Sequence, residues 1–256
     1  MKKIYQIVNA VVLVITVVIN YLSNTGIFNG ETMATISAKY QNLFTPAGYA
    51  FSIWGLIYLG LFGFVVYFGP LLKLTREKEE VILKVGWWFL VSCLANCLWV
   101  ITWLYDYTSV TIFLMLLLFV SLLRIIQNTR AISFQSNLKK LFFLKLPFHL
   151  YAGWISVALI ADVAAYLTKI GWGGFGLSAT LWTIIMFLVA LIIHLIMIWK
   201  RRMPVFGLVS AWALIAIAVA NKGTNSIIYA AAIVIAIIVL LNLFVYCIRY
   251  RKQLLF

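Results

Sequence analysis

Residues 146–167 read LPFHLYAGWISVALIADVAAYL, a stretch with a single formal charge at Asp162 and long enough to cross a hydrocarbon core of roughly 30 Å as one helix. Within it Tyr151, Trp154, Ala158 and Asp162 fall at i, i+3, i+7 and i+11, so they form one stripe on one helical face. Two other apolar segments repeat the spacing, with Phe51, Trp54 and Tyr58 in one and Asn96, Trp99 and Trp103 in the other. Three greasy helices with such faces have a reason to turn them toward a common interior.

Composition extends this reading to the whole chain. Hydrophobic residues make up 65%, charged residues 10%, and mean hydropathy is +1.08, against about 25% charged in an ordinary soluble domain. The expected fold is an all-α polytopic membrane bundle of about eight spans: residues 4–22, 47–69, 84–105, 108–126, 146–167, 178–199, 206–221 and 227–248. The seventh is the shortest and ends at Asn221, Lys222 and Gly223.

The formal charge of +14 is explained by its distribution. With the N-terminus inside, 17 of the 20 basic residues fall in cytoplasmic segments: Lys2, Lys3, Lys73, Arg76, Lys78, Lys84, Arg124, Arg130, Lys139, Lys140, Lys145, Lys200, Arg201, Arg202, Arg249, Arg251 and Lys252. Only Lys39, Lys169 and Lys222 remain outside, so the positive-inside tendency favours eight spans with both termini cytoplasmic, in a membrane of the bacterial cytoplasmic type. Topology and contact with anionic lipid account for the basic groups, and a nucleic-acid partner is not expected. Lys2 and Lys3 before an apolar run resemble a secretory leader, but Tyr21, Leu22, Ser23 and Asn24 offer no small-residue cleavage site; the run is read as a retained first helix.

The remaining polar features are read by position. Cys93 and Cys97 lie one turn apart in one span and Cys247 ends the last, which suits close packing rather than disulfides or metal. The outer loop 23–46 mixes Asn24, Gly26, Asn29, Gly30 and Asn42 with Ile27, Phe28, Met33 and Phe44, a composition suited to folding down as a lid. The inner loop 127–145, with Phe134, Leu138, Lys139, Lys140, Leu141, Phe142, Phe143 and Lys145, suits the membrane surface. Residues 74–81, with Arg76, Glu77, Lys78, Glu79 and Glu80, suit a solvated helical turn. There is no clear internal repeat and hence no signature of an inverted-repeat transporter.

With that topology, the three stripes converge in the outer half of the bilayer beneath loop 23–46, a concave and mostly aromatic site with a few polar groups. The competing reading of each residue is packing: Trp87, Trp88, Trp172 and Trp199 suit interfacial belts, Trp103 either belt or pocket, and Asn96 either pocket or an interhelical hydrogen bond. Asp162 is the one acidic residue inside a span, where a carboxylate costs about 2.5–3.5 kcal/mol at the helix centre, so it is either a ligand anchor, a titrating group or a hydrogen-bonded packing residue. His149 sits near the inner interface, and His194 suits an interhelical hydrogen bond. Two separated histidines without a Cys/His cluster do not make a metal site.

These residues resemble a known family. FTPAGYAFSIWGLIY at 44–58, LANCLWVITW at 94–103 and YAGWISVALIAD at 151–162 are similar to the second, third and fifth helices of the tryptophan-rich sensory protein or translocator protein family, TspO. The resemblance covers residues 1–168. It implies a five-helix core there, extended by three helices over 169–256, and a pocket for tetrapyrroles, sterols or synthetic aromatic ligands under the loop joining the first two helices. The chain departs from the family pattern at Phe51, which stands three rather than four residues before Trp54, at Pro147, which is not adjacent to Tyr151, and at Asp162, where an asparagine is expected.

The resulting expectation is a non-enzymatic membrane sensor or carrier. It would bind a planar hydrophobic ligand by stacking on Trp54, Trp99 and Trp154, oriented by Asn96, Tyr151 and Asp162. No cofactor is expected beyond a tetrapyrrole as ligand, and a homodimer is allowed. The alternative is a secondary transporter in which Asp162 titrates. Enzymatic function would be limited to porphyrin degradation, which the resemblance alone implies, because no nucleophile, carboxylate pair, phosphate loop or metal cluster lies in the spans. A retinal protein is disfavoured because Lys222 ends a span instead of sitting within one.

Overall fold

The computed structural model describes residues 2–72, 74–130, 132, 139 and 141–250. Among them are ten α-helices and no strand: α1 (Lys2–Leu22), α2 (Met33–Lys39), α3 (Ile53–Phe68), α4 (Arg76–Val85), α5 (Trp88–Leu104), α6 (Thr108–Thr129), α7 (Leu146–Lys169), α8 (Ala179–Trp199), α9 (Pro204–Asn221) and α10 (Ser226–Arg249). Seven helical segments are long and apolar enough to cross a membrane, and α4 with α5 makes an eighth if that bent pair is one span. The all-α polytopic membrane fold read from composition is therefore present. Phe134, Leu138 and Lys140 of the inner loop, together with Lys73, Arg251 and Lys252, lie outside the described residues.

The chain forms two compact units, residues 1–36 with 54–155, and residues 37–53 with 156–256. In the first, α5 packs on α6 and on α1, and α4 packs on α6 and α1. Its core is a ring cluster of Phe64, Phe89 and Phe148, with centroids 5.0–6.1 Å apart. Glycines let α3 approach the chain entering α7: a Cβ on Gly60 would stand 3.2 Å from the Pro147 ring, and one on Gly63 would stand 3.1 Å from Phe143. The side chain of Gln6 on α1 donates to the carbonyls of Phe68 and Gly69 at 2.8 and 2.9 Å, satisfying acceptors that the end of α3 leaves open.

The third span differs from the expected 84–105. The Gly86 N–H closes α4 on the Ile82 carbonyl with φ at +52°, a value glycine adopts easily, and α5 restarts at Trp88 with its axis turned by 47°. The charged stretch before it is a true helix, capped by Thr75, which accepts from the Lys78 N–H. Val81, Ile82 and Val85 face inward, while Glu79 pairs with Lys2 and Glu80 with Lys84.

In the second unit α9 packs against α10 and α8. The shortest expected span proves the most enclosed, with 61% of its apolar window buried. Small residues explain this: Gly207, Ser210, Ala211, Ala213, Ala216 and Ala218 are all buried, and a Cβ on Gly207 would come within 2.5 Å of Ile198. Helices α8 and α10 start on side-chain caps from Ser178 and Asn225, and α9 starts with Pro204 in its first turn.

Residues 37–53 are fastened to α9. The Asn221 amide donates to the Leu43 carbonyl at 3.0 Å, the Ala47 N–H donates to the Ala216 carbonyl at 3.0 Å, and the Trp212 indole donates to the Ala50 carbonyl at 3.3 Å. Phe44 packs on Phe187 of α8 with centroids 5.5 Å apart. The loop 23–46 also contains a helix, α2, whose start is marked by Thr32 accepting from the Thr35 N–H.

Candidate functional site

Seven of the ten predicted site residues lie in the first unit and meet one another. Trp54 of α3 is the hub. Its ring stacks on Tyr58 at 5.6 Å with planes 20° apart and on Trp99 at 6.3 Å with planes 30° apart, and it stands edge-on to Tyr151 at 5.6 Å and Trp154 at 6.4 Å. Trp103 continues the stack from Trp99 at 6.2 Å. Offset and edge-to-face contacts of this kind are worth about 0.5–1.5 kcal/mol each beyond the area they bury. The i, i+3, i+7 spacing therefore brings rings from α3, α5 and α7 together as expected. Trp99, Trp103, Tyr151 and Trp154 are buried, whereas Trp54 and Tyr58 are half-buried.

A polar line crosses the cluster. Asn96, completely buried, donates to the Tyr151 hydroxyl at 3.0 Å and accepts from the Asn20 amide at 2.7 Å; Asn20 donates also to the Thr16 carbonyl at 2.9 Å. The indole N–H of Trp99 is buried with no hydrogen-bond acceptor among the described residues. An apolar interior makes such a donor costly unless something accepts from it.

Phe51, Ala158 and Asp162 belong to the second unit. Phe51 sits half-buried in the turn Gly48–Ser52 before α3, Ala158 is half-buried on α7, and Asp162 is buried at 3% exposure on the same helix. That unit also holds a cavity of about 550 Å³, walled by residues 42–44 of the outer loop, α7 positions between Leu159 and Thr168, the turn 172–177 and the start of α8. None of the ten predicted residues lines it. Trp172, expected as a belt residue, is one of its walls and packs on Trp182 at 5.1 Å, while Trp199 donates to Asn242 at 3.1 Å.

The profile of the TSPO-like protein family matches residues 6–245. The chain belongs to the TSPO-like family. Membership marks it as a membrane protein of a group that binds hydrophobic ligands and is generally not enzymatic. The TSPO-like match runs well past residue 168, where the motif resemblance ends, and takes in α8, α9 and most of α10. No curated protein and no solved structure matches the chain.

Sequence reasoning missed that α1 reaches the ring cluster, through the bond from Asn20 to Asn96. Gln6, Asn9, Leu13, Thr16 and Asn20 repeat the 3-4-3-4 spacing of the aromatic stripes, and the first four are buried. The signal was available as polar residues on one face of an otherwise apolar helix. His194 makes the interhelical contact expected of it: its Nδ1 donates to the Ala190 carbonyl at 2.6 Å, which leaves Nε2 to accept from Ser156 at 3.3 Å. Among the described residues no group of three or more His, Cys, Asp or Glu could hold a metal ion.

Proposed function

We propose that this TSPO-like protein binds a planar hydrophobic ligand of the tetrapyrrole or sterol-like class against the ring cluster of the first unit, and acts as a sensor or carrier. The observation that supports this most is the five-ring contact around Trp54 beside a buried indole donor at Trp99. A flat ligand can replace one ring–ring contact with two ring–ligand contacts and supply the missing acceptor. Trp54 and Tyr58, being only half-buried, are the rings a ligand reaches first. The distribution of cations supports an inside location for both termini.

Titration of the purified protein with protoporphyrin, followed by tryptophan quenching, tests this. Trp54→Ala and Trp154→Ala are each expected to weaken binding roughly tenfold, the loss of a stacking partner plus its contact area. Parent-like affinity in both variants would remove the ring cluster from the site.

Transport is the second reading, and the burial of Asp162 within α7 favours it, since an intramembrane carboxylate is costly to keep without a role. If Asp162 titrates during substrate movement, proteoliposomes will show pH-coupled uptake that disappears in Asp162→Asn. Uptake in that variant with the parent's pH response would leave Asp162 a packing residue.

A further inference from the structure

Residues 163–256 contain eight Lys and Arg and no Asp or Glu. Four of these cations stand where two helices of the second unit end: Lys200, Arg201 and Arg202 follow α8, and Arg249 closes α10. All four are exposed. Charge is handled differently along α4, where Glu79 pairs with Lys2 and Glu80 with Lys84. Neither Arg202 nor Arg249 has a carboxylate partner among the described residues.

An aromatic support holds the two guanidiniums together. Trp199 is fixed by its bond to Asn242 at 3.1 Å and stands edge-on to Tyr246 at 5.7 Å, and Tyr246 packs on Tyr250 at 4.7 Å. Tyr246 is buried with Ile198, Val239 and Leu243, which gives the ladder a firm base. The Tyr250 ring then carries both cations, Arg202 at 5.4 Å and Arg249 at 5.9 Å from its centroid. A helix dipole favours a cation near a helix C-terminus, but it does not account for the backbone of Arg202. That residue has φ at +57°, in the left-handed region where glycine is usual just past a helix end. Strain of this kind concentrates at binding positions. Along α10, Leu241, Phe244, Val245 and Ile248 lie at i, i+3, i+4 and i+7 and are all exposed, so an apolar stripe runs up to Arg249. On a membrane span such a stripe faces acyl chains, and the tyrosines and tryptophan beside it suit head-group level.

We propose that the ends of α8 and α10 form a site for one anionic phospholipid, whose phosphate accepts from Arg202 and Arg249 and whose chains lie along the stripe from Leu241 to Ile248. A guanidinium offers phosphate oxygens two N–H groups in a fixed fork, which a lysine ammonium does not. Lys200 and Arg201 add attraction toward an anionic head group. The apolar stripe leading to the cations selects a lipid over a free phosphate. This inference does not rest on the reading of the ring cluster, and the two can fail separately.

The test is native mass spectrometry of the full-length protein in mild detergent, titrated with dioleoylphosphatidylglycerol or dioleoylphosphatidylcholine. One tight phosphatidylglycerol adduct is expected, bound roughly tenfold more strongly than phosphatidylcholine. The Arg202→Gln/Arg249→Gln variant should lose that preference, and Arg202→Lys/Arg249→Lys should keep only a few-fold part of it. Lys3→Gln/Arg76→Gln removes two exposed cations from the first unit and should bind as the parent does. Arg202→Gly suits the left-handed backbone, so it should melt no lower than the parent while losing most of the preference. Equal binding of the two lipids, an unaffected Arg202→Gln/Arg249→Gln or Arg202→Gly variant, or an equal loss in Lys3→Gln/Arg76→Gln would each overturn the proposal. Displacement of the phosphatidylglycerol by an equal concentration of inorganic phosphate would overturn it as well, because the site would then read free phosphate.

Discussion

Ending the chain after residue 168 is expected to yield no folded product, although the shortened chain would keep all three aromatic stripes. The reason lies in residues 37–53, whose partners are supplied by helices far downstream. The Leu43 and Ala50 carbonyls and the Ala47 N–H lose Asn221, Trp212 and Ala216, and Phe44 loses Phe187. Away from water an unpaired backbone group costs several kcal/mol, and three of them rival the about 5–15 kcal/mol by which a typical domain is stable. Size-exclusion chromatography in mild detergent will check this: one symmetrical peak for the full chain, and aggregate in the void volume for the truncated one. A monodisperse truncated chain with a cooperative melt would mean that residues 37–53 need nothing from α9.

The second large effect is expected at Asn96. Replacing it by leucine keeps the side chain's approximate size but strips the acceptor from Asn20 and the donor from Tyr151, both inside an apolar bundle. Each orphaned group costs about 1–3 kcal/mol, and a change of that size lowers the melting temperature of a chain this long by roughly 5–15 °C in all. The neighbouring Cys97, whose thiol makes a long 3.5 Å contact to the Thr16 hydroxyl, serves as the comparison. Cys97→Ala should melt within a few degrees of the parent. If Asn96→Leu melts with Cys97→Ala, the polar line adds no stability.

Much of this architecture is legible in the sequence because the bilayer leaves few alternatives. Apolar length set the spans, and the period of Trp54, Trp99 and Trp154 set which faces meet. The parts that could not be read have separate physical causes. Gly86 breaks a helix through a single backbone torsion, and within an apolar run a glycine looks the same whether it bends the chain or continues it. The short helix α2 hides in the loop because Met33–Lys39 has no long apolar period and starts on a threonine cap. Asn20 and Thr16 carry no ring, and a lone amide on α1 reads as ordinary packing until its partner on α5 is known. The cavity near Trp172 and Trp182 depends on residues 42–44 and 159–186 meeting, and no local pattern encodes that.

The direction of the Asn20–Asn96–Tyr151 line has a chemical outcome. A backbone carbonyl can only accept, so the bond to Thr16 fixes which end of the Asn20 side chain is its NH₂ group. Asn20 then gives a proton to Asn96, Asn96 gives one to the tyrosine oxygen, and the tyrosine's own proton is the one left over. With the Trp99 N–H it makes two proton givers beside a nest of rings. For the ligand proposed to bind at this ring cluster, these two donors favour one that bears ketone, ether or carboxylate oxygens over one whose polar groups can only donate.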